Sequence, residues 1–410
     1  MTQARSNPPP PSLQNFFERR AIRLLPGRDK RVRGGYPWIA ARDMTMDAGV
    51  KALPPGLVVD IADAGGRPFA TALFNPSSRI AGRVLAVQPG IHLDVAFLIQ
   101  RIERALKRRE ALVTVPFYRL VHAEADGLPG LIVDRYGDVA VIQTNAAGME
   151  LATPAIVEAL NATINPSVIV ARNDSPARTL EGLPRENKIL KGALAGPVEV
   201  IENGVRYLAD LMGGQKTGWF FDQRDNHAYM AGLSKDRTVL DLYTYAGGFA
   251  LVCAANGAKQ VTAVDRSEGS LALAAKAASL NGVADRVSFV RAEAFAEMER
   301  LAAGKALFGI VIADPPPFVR SHADLAAGAK GYRKMARLAA ALVEPGGYLF
   351  AASCSHNIDA ARFKDETERG IKAAGRTGRI LHAAGAAPDH PVHPALPESA
   401  YLKALVLQLD

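Results

Sequence analysis

The C-terminal half of the chain is predicted to fold as an α/β domain with a doubly wound parallel sheet, behind a small β-barrel and a central α+β domain. Three observations predict this. From about residue 198 to 410, short apolar runs alternate with Ala-rich helical stretches, the pattern of successive β-α units. From about 19 to 94, the apolar runs are short, β-like and separated by Gly and Pro turns. From about 95 to 197, one long amphipathic stretch precedes several strand-like pieces.

Residues 1–18, with four consecutive prolines, read as a disordered tail. In the barrel segment, Leu57–Ala62 and Arg83–Val87 read as strands. The turns between such runs fall at Pro54-Pro55-Gly56, Ala64-Gly65-Gly66 and Asn75-Pro76. The central segment opens with a helix from Asp94, its N-cap, to Glu110. Leu98, Ile99, Ile102, Ala105 and Leu106 form its apolar stripe. Strands are predicted at Leu131–Asp134, Val139–Gln143 and Val168–Ala171, with a helix near Pro154 to Ala162. In the C-terminal segment the predicted strands are Thr238–Leu242, Gln260–Asp265, Val287–Val290, Phe308–Asp314 and Gly347–Ser353. The helices are Phe249–Asn256, Gly269–Asn281 and Gly331–Val343.

Composition narrows the class. A chain of 410 residues is long enough for two or three cores. No apolar run is long enough to span a bilayer, and the N-terminus lacks the apolar stretch of a signal peptide, so a cytoplasmic protein with no membrane partner is expected. Two distant cysteines, Cys253 and Cys354, make neither a disulfide framework nor a zinc spacing, and no metal is expected. The formal net charge of +8 favours a polyanionic partner.

The loop after the first strand of the α/β segment, Tyr243-Thr-Tyr-Ala-Gly-Gly-Phe249, carries the first ligand signal. Glycines there allow close backbone approach to a ligand. A dinucleotide site would carry three spaced glycines to cradle a pyrophosphate. This loop has only Gly247-Gly248, and Asp241 at the strand end would repel a phosphate but suits the ammonium of S-adenosylmethionine. Asp265, ending the second strand, suits two ribose hydroxyls, and Glu293, after the third, suits an adenine amino group.

The fourth strand runs into Asp314-Pro-Pro-Pro-Phe318, a rigid turn that exposes carbonyls beside an aromatic ring and can hold a planar base. The fifth runs into Cys354. A thiolate at that strand end can attack C6 of a pyrimidine and make C5 nucleophilic enough to take a methyl group. His356 or another neighbour is expected to lower the thiol pKa. Cys253, on the helix after the glycine loop, reads as packing.

Taken together, Asp241-Leu-Tyr-Thr-Tyr-Ala-Gly-Gly-Phe249, Asp314-Pro-Pro-Pro-Phe318 and Ser353-Cys-Ser-His356 resemble the 23S ribosomal RNA cytosine-5 methyltransferases. The resemblance extends to Gly214–Asn226, to Arg119-Leu120, Glu124–Leu131 and Asp134-Arg-Tyr136, to Arg33–Ile39, and to Asp389-His-Pro391 and Pro397–Leu402. It implies an RNA-binding PUA barrel over 19–94, a central α+β domain over 95–197 and a Rossmann-like methyltransferase domain over 198–410. It also implies S-adenosylmethionine as donor, S-adenosylhomocysteine as product and a cytidine of 23S rRNA as acceptor. Carried over residue by residue, it implies that Gln223, Arg224, Asp241, Asp265 and Asp314 face the cofactor and that Cys354 is the nucleophile. Tyr243, Tyr245, Gly247, Arg266 and Glu293 complete the expected cofactor set. Glu293 stands where the family more often has Asp, and Pro317 where it more often has Lys.

Basic residues cluster before Tyr36-Pro-Trp38, and Arg101, Arg104 and Arg108 share a face of the long helix. Positive charge beside aromatics suits phosphate contact and base stacking. Arg31, Arg33, Trp38, Arg101, Arg104 and Arg108 are the candidate RNA-binding residues. Three alternatives stay open: a purine-nitrogen methyltransferase of the same fold, a non-catalytic RNA-binding ribosome-assembly protein, and, least favoured by the loop chemistry, a dehydrogenase. Also open are the base that removes the C5 proton, with Asp222 and Asp314 as candidates, and a homodimer.

Overall fold

The computed structural model describes residues 19–410, so the expected tail over 1–18 lies outside the described residues. No helix among the described residues is long and apolar enough to cross a membrane.

The N-terminal unit is a five-stranded sheet in the spatial order Ala21–Arg23, Leu57–Ala62, Pro68–Phe74, Ile80–Ala86, Trp38–Ala40. A bridge between Leu24 and Met44, each following an edge strand, brings the two edges together and closes the barrel. Ile22, Ile39, Val59, Ile61 and Phe74 fill it.

The central unit is a five-stranded sheet in the order Glu186–Lys191, Val168–Asn173, Val139–Thr144, Leu131–Tyr136, Phe117–His122. Asp94 caps the helix Val95–Glu110 as the sequence predicts, accepting from Phe97 N at 2.8 Å. Both faces of this sheet are buried. Ala140, Ile142 and Ile169 point to the helices Val95–Glu110 and Thr153–Thr163. Val141 and Val170 point to the C-terminal domain and join its core. The period-2 alternation of a strand thus fastens one domain to the next.

A hairpin, Val198–Glu202 with Val205–Ala209, leads into the C-terminal domain. Its sheet strands are β1 (Thr238–Leu242), β2 (Gln260–Asp265), β3 (Val287–Arg291), β4 (Phe308–Ala313), β5 (Val343–Ser353), β6 (Gly378–Ala384) and β7 (Lys403–Leu409). Its helices are α1 (Arg224–Leu233), α2 (Gly248–Ala255), α3 (Glu268–Leu280), α4 (Ala294–Ala303), α5 (Leu325–Ala341) and α6 (Ala360–Ala373). The spatial order is β3-β2-β1-β4-β5-β7-β6. Strands β1 to β5 are mutually parallel, as expected. Beyond these parallel strands, β7 runs antiparallel to both β5 and β6 at the far edge of the sheet. Apolar layers cover both faces, with Val239 and Ile310 on one side and Leu240 and Val311 on the other.

Helix α5 starts six residues before its predicted start, at Leu325 rather than Gly331. Gly328 and Gly331 argue against helix by propensity, but both lie against the Asp314–Phe318 turn. A Cβ on Gly328 would come within 2.6 Å of the Phe318 carbonyl oxygen, and one on Gly331 within 3.2 Å of the Phe318 ring. Close packing, rather than conformational freedom, accounts for these glycines.

Candidate active site

The carboxyl ends of β1 to β5 open into a cavity of about 540 Å³, the place where ligands bind in open α/β sheets. The cavity gathers Gln223, Tyr243, Tyr245, Asp265, Arg266, Glu293, Asp314 and Cys354 from the sequence-predicted set. It also gathers Lys216, Phe220, Asp222, His227, Gly248 and Phe318.

The β1 loop is held in a strained shape. Tyr243 and Tyr245 have φ of 64° and 51°, left-handed values that non-glycine residues rarely adopt. Asp265 stabilises this shape by accepting from Tyr245 N at 2.9 Å, while its other oxygen accepts from Ser267 N at 2.8 Å. A carboxylate has about four lone-pair sites, so these bonds leave acceptor capacity facing the cavity. Tyr245 Oη donates to Gly218 O at 3.0 Å and accepts from Gln215 N at 3.2 Å, tying the loop to the segment before α1. Tyr243 Oη is buried in the cavity wall with no hydrogen-bond partner among the described residues, so a ligand atom there would satisfy it. Glu293 caps α4, its Oε2 accepting from Ala296 N at 3.0 Å.

Three predicted cofactor residues lie outside the cavity. Asp241 is buried behind its wall, where Oδ2 accepts from Thr244 Oγ1 at 2.5 Å and Ala250 N at 3.0 Å. Burial pushes its carboxyl up to about 7. It shapes the loop from behind rather than facing a ligand. Gly247 has φ of 87°, and a Cβ there would meet Leu251 at 2.9 Å, so it serves the turn into α2. Arg224 is turned away. It donates to Phe117 O and lies near Glu202 and Asp389 at 3.6 and 3.7 Å, joining the C-terminal and central domains.

At the other end of the cavity, Asp314 accepts from Gln223 Nε2 at 2.7 Å. Burial, with the nearby Asp222 charge, pushes its carboxyl up to about 6. Cys354 Sγ lies 3.9 Å from Pro315 O. Burial pushes its thiol up to about 11, the Asp314 and Asp222 charges adding to the shift and Lys216 opposing it. The expected help from His356 is corrected. That ring sits 3.3 Å from Glu398 O, packs on Tyr401 and lines an outer cleft rather than the cavity of the thiol, and its pKa lies below the usual imidazole value.

A hydroxyl cluster invisible to motif reading fixes the thiol against the proline turn. Ser353 Oγ donates to Tyr332 Oη at 2.8 Å, and Tyr332 Oη meets Ser355 Oγ at 2.7 Å. These oxygens receive the backbone N–H of Phe318 at 3.3 Å and of Val319 at 3.2 Å. The Phe318 ring packs on Tyr332 with centroids 4.7 Å apart. Only the serines flanking Cys354 hinted at this in the sequence; Tyr332 gave no signal.

A second, outer cleft of about 820 Å³ lies where the three domains meet. Trp38 of the barrel, His122 and Arg172 of the central domain, and His356 and Tyr401 of the C-terminal domain line it. Gln215 and Lys216 line both spaces. Of the candidate RNA-binding residues, only Trp38 reaches this cleft, held by Glu124 through Nε1 at 2.8 Å. Arg31 lies over the Tyr36 ring at 3.4 Å, and Arg33 pairs with Asp29 at 2.9 Å. Arg101 is half-buried and donates to Leu85 O at 3.3 Å, docking the long helix on the barrel; Arg104 and Arg108 stay exposed.

The inner cavity combines acidic groups, aromatic rings and an unsatisfied hydroxyl, and it lacks a phosphate cradle. These residues fit S-adenosylmethionine, a phosphate-free ligand with a net positive charge. Fold and site define an S-adenosylmethionine-dependent methyltransferase, and residues 183–408 match the family profile of that description. Residues 22–86 match a PUA-like domain. The chain is 34% identical to the ribosomal RNA large subunit methyltransferase I of Cronobacter sakazakii, over 93% of this chain and 97% of that protein. It is 35% identical to the protein of the same name from Vibrio cholerae, over 95% of this chain and 99% of that one. The chain belongs to the ribosomal RNA large subunit methyltransferase I family. A solved protein from Streptococcus mutans, described as an S-adenosylmethionine-dependent methyltransferase by assignment, shares the fold, with a TM-score of 0.80, 22% identity and coverage of 95% of this chain and 100% of that chain. A methyltransferase solved in complex with S-adenosylhomocysteine gives a TM-score of 0.81 at 22% identity, covering 96% of this chain and 100% of that chain.

Proposed function

We propose that this enzyme methylates C5 of a cytidine in 23S rRNA through a covalent adduct with Cys354. The observation that carries the proposal is the single cavity in which a cysteine, a carboxyl group with raised pKa and a rigid carbonyl-rich turn meet. S-adenosylmethionine supplies an electrophilic methyl group. Tyr243, Tyr245, Asp265 and Glu293 would hold it, with Gln223 and Arg266 at the margins. The Cys354 thiolate attacks C6 of the base, forming a carbon–sulfur bond and placing electron density on C5. C5 takes the methyl group as the bond from that methyl to the sulfonium breaks, and S-adenosylhomocysteine is the product that leaves. The Asp314 carboxylate then removes the C5 proton, and the electron pair released expels the thiolate and restores the aromatic ring. Between the two acids, Asp314 suits this role because its pKa lies nearer neutrality, while Asp222 is held well below the usual carboxylate range by Lys216 and its hydrogen bonds.

RNA enters through the outer cleft, with Trp38 as a stacking surface and Arg31, Arg33, Arg104 and Arg108 contributing to phosphate attraction around it. A target in 23S rRNA places the enzyme in the cytoplasm, where the rRNA is made and assembled. Purified protein, labelled S-adenosylmethionine and unmodified 23S rRNA should yield 5-methylcytidine in the digested nucleosides. Cys354→Ser should lower the rate at least about 1,000-fold with donor affinity kept. Retained activity would remove the adduct.

The raised thiol pKa favours one second reading, methylation of a purine nitrogen held by the Asp314–Phe318 turn. It predicts a methylated purine as product and full activity in Cys354→Ser.

A further inference from the structure

Asp222 is almost completely buried, yet its Oδ1 has no hydrogen-bond partner among the described residues. Its Oδ2, in contrast, accepts from Lys216 Nζ at 2.6 Å and from Tyr401 Oη at 2.6 Å. An unsatisfied buried carboxylate oxygen is costly, and a ligand donor is one way to meet it. The position of the group says which ligand. Asp222 lines the inner cavity with Cys354 and Asp314, Tyr401 lines the outer cleft, and Lys216 lines both. The cluster therefore stands where the two spaces meet, a neck on the route that a base entering by the outer cleft would take to the thiol.

Lys216 sits there with φ of 49°, a left-handed backbone that a lysine adopts only under constraint. Its ammonium lies 4.1 Å from the Phe220 ring centroid and keeps two donors beyond the bond to Asp222. The neck thus offers an acceptor-only group beside a donor-only group. Cytosine presents a donor, the 4-amino group, beside an acceptor, N3. Uracil presents the reverse, an O4 acceptor beside an N3–H donor.

We propose that Asp222 and Lys216 read the Watson–Crick edge of the target base, Asp222 Oδ1 accepting from the cytosine 4-amino group and Lys216 donating to N3. This deepens the cytidine reading above and rests on it. The Lys216 and Tyr401 bonds that hold the Asp222 carboxyl below its usual range favour its acceptor form. Uridine is excluded by two mismatched contacts rather than by size.

The test measures kcat/KM for the full-length enzyme on matched RNAs carrying cytidine or uridine at the methylated position, with donor affinity followed by calorimetry. Wild type should prefer cytidine by about 100-fold, the penalty for leaving buried polar groups mispaired. Asp222→Asn should bring that ratio below about tenfold, with the loss on cytidine and the donor Kd unchanged. A ratio kept at its wild-type value, or equal losses on both RNAs, would overturn the proposal. Should Asp222→Asn not fold, Lys216→Met carries the same test, because that side chain is partly exposed and its stem is preserved. A ratio unchanged in Lys216→Met would again overturn it. A wild-type enzyme that forms no 5-methylcytidine overturns both this proposal and the cytidine reading. One that forms 5-methylcytidine and 5-methyluridine equally well overturns the edge reading alone.

Discussion

At the scale of single residues, the site separates acids by environment. Asp222 and Asp314 line one cavity, but one is clamped as a carboxylate by Lys216 and Tyr401 while the other is raised to about 6 by burial and by its neighbour's charge. Cys354 shares the Asp314 environment and pays for it with a thiol near 11. Its thiolate is the charged form, so the free enzyme should react slowly with iodoacetamide at neutral pH, and the rate should climb as pH rises towards about 11. A cationic ligand beside the sulfur reverses part of that shift. Saturating S-adenosylmethionine should therefore make alkylation at pH 8 severalfold faster than saturating S-adenosylhomocysteine, which has nearly the same shape without the sulfonium charge. Equal rates with the two ligands would show that the thiol does not sense the donor. The sequence made Cys354 and Asp314 legible because each directly follows a strand at the carboxyl edge of the sheet. It did not make the direction of the thiol shift legible, because that depends on burial and on Asp222, which the chain supplies from 132 residues earlier.

At the scale of elements, the strand ends and the tight turns do the positioning. Four of the first five strands, β1 to β4, begin at their predicted residues, since buried parallel strands are short continuous apolar runs bounded by turn residues. Strands β6 and β7 and helices α1, α4 and α6 lie outside the predicted elements. In β6, an edge strand, most residues are exposed, so little periodicity marks it. Arg224 departs from its expected place for a related reason: a motif gives order along the chain, and the side chain points through the domain boundary instead. Gly248 illustrates what an element must leave empty. A Cβ there would stand 2.8 Å from His227 Nε2, and that ring is itself fixed by Glu202 at 2.6 Å and by the Phe249 ring, with centroids 4.4 Å apart. The ring cannot retreat, so Gly248→Ala should push the β1 loop into the cavity. Calorimetry should find donor affinity reduced about tenfold or more, with an overpacking cost of about 1–3 kcal/mol in denaturant unfolding. Unchanged affinity would mean that the loop and the His227 ring accommodate the methyl group.

At the scale of the whole molecule, three domains are held in register by buried charge rather than by apolar contact alone. Arg109 forks onto Asp126 at 2.9 and 2.6 Å and also reaches the Asp389 backbone at 3.0 Å. Arg119 forks onto Asp134 at 2.7 and 2.8 Å, and Thr217 donates to that same carboxylate at 2.5 Å. The segment 214–223, which forms the neck, is thereby anchored to the central domain. The barrel is fastened through Glu181, which accepts from Ser78 Oγ, Asn75 Nδ2 and Arg83 Nη2, each at 3.0 Å. Arg83 continues to Glu124 at 3.1 Å, and Glu124 holds Trp38 at the outer cleft. Glu181→Ala removes the centre of this chain and leaves Arg83 partly uncompensated. Breaking a buried pair of this kind costs about 3–5 kcal/mol. The loss should appear first as loosened barrel docking, because the donor cavity shares none of these residues. Donor affinity should stay at the wild-type level while RNA affinity falls several-fold and hydrogen exchange rises across 75–83. The Glu181 carboxyl is held below its usual pKa by Arg83 and its hydrogen bonds despite burial, so its contribution is present above the unfolded value and is lost as pH falls through the folded one. Acidification of the wild-type enzyme should accordingly loosen the barrel in the same residues that Glu181→Ala loosens at neutral pH. Donor binding lost together with RNA binding in Glu181→Ala would instead mean that barrel position is transmitted to the donor cavity.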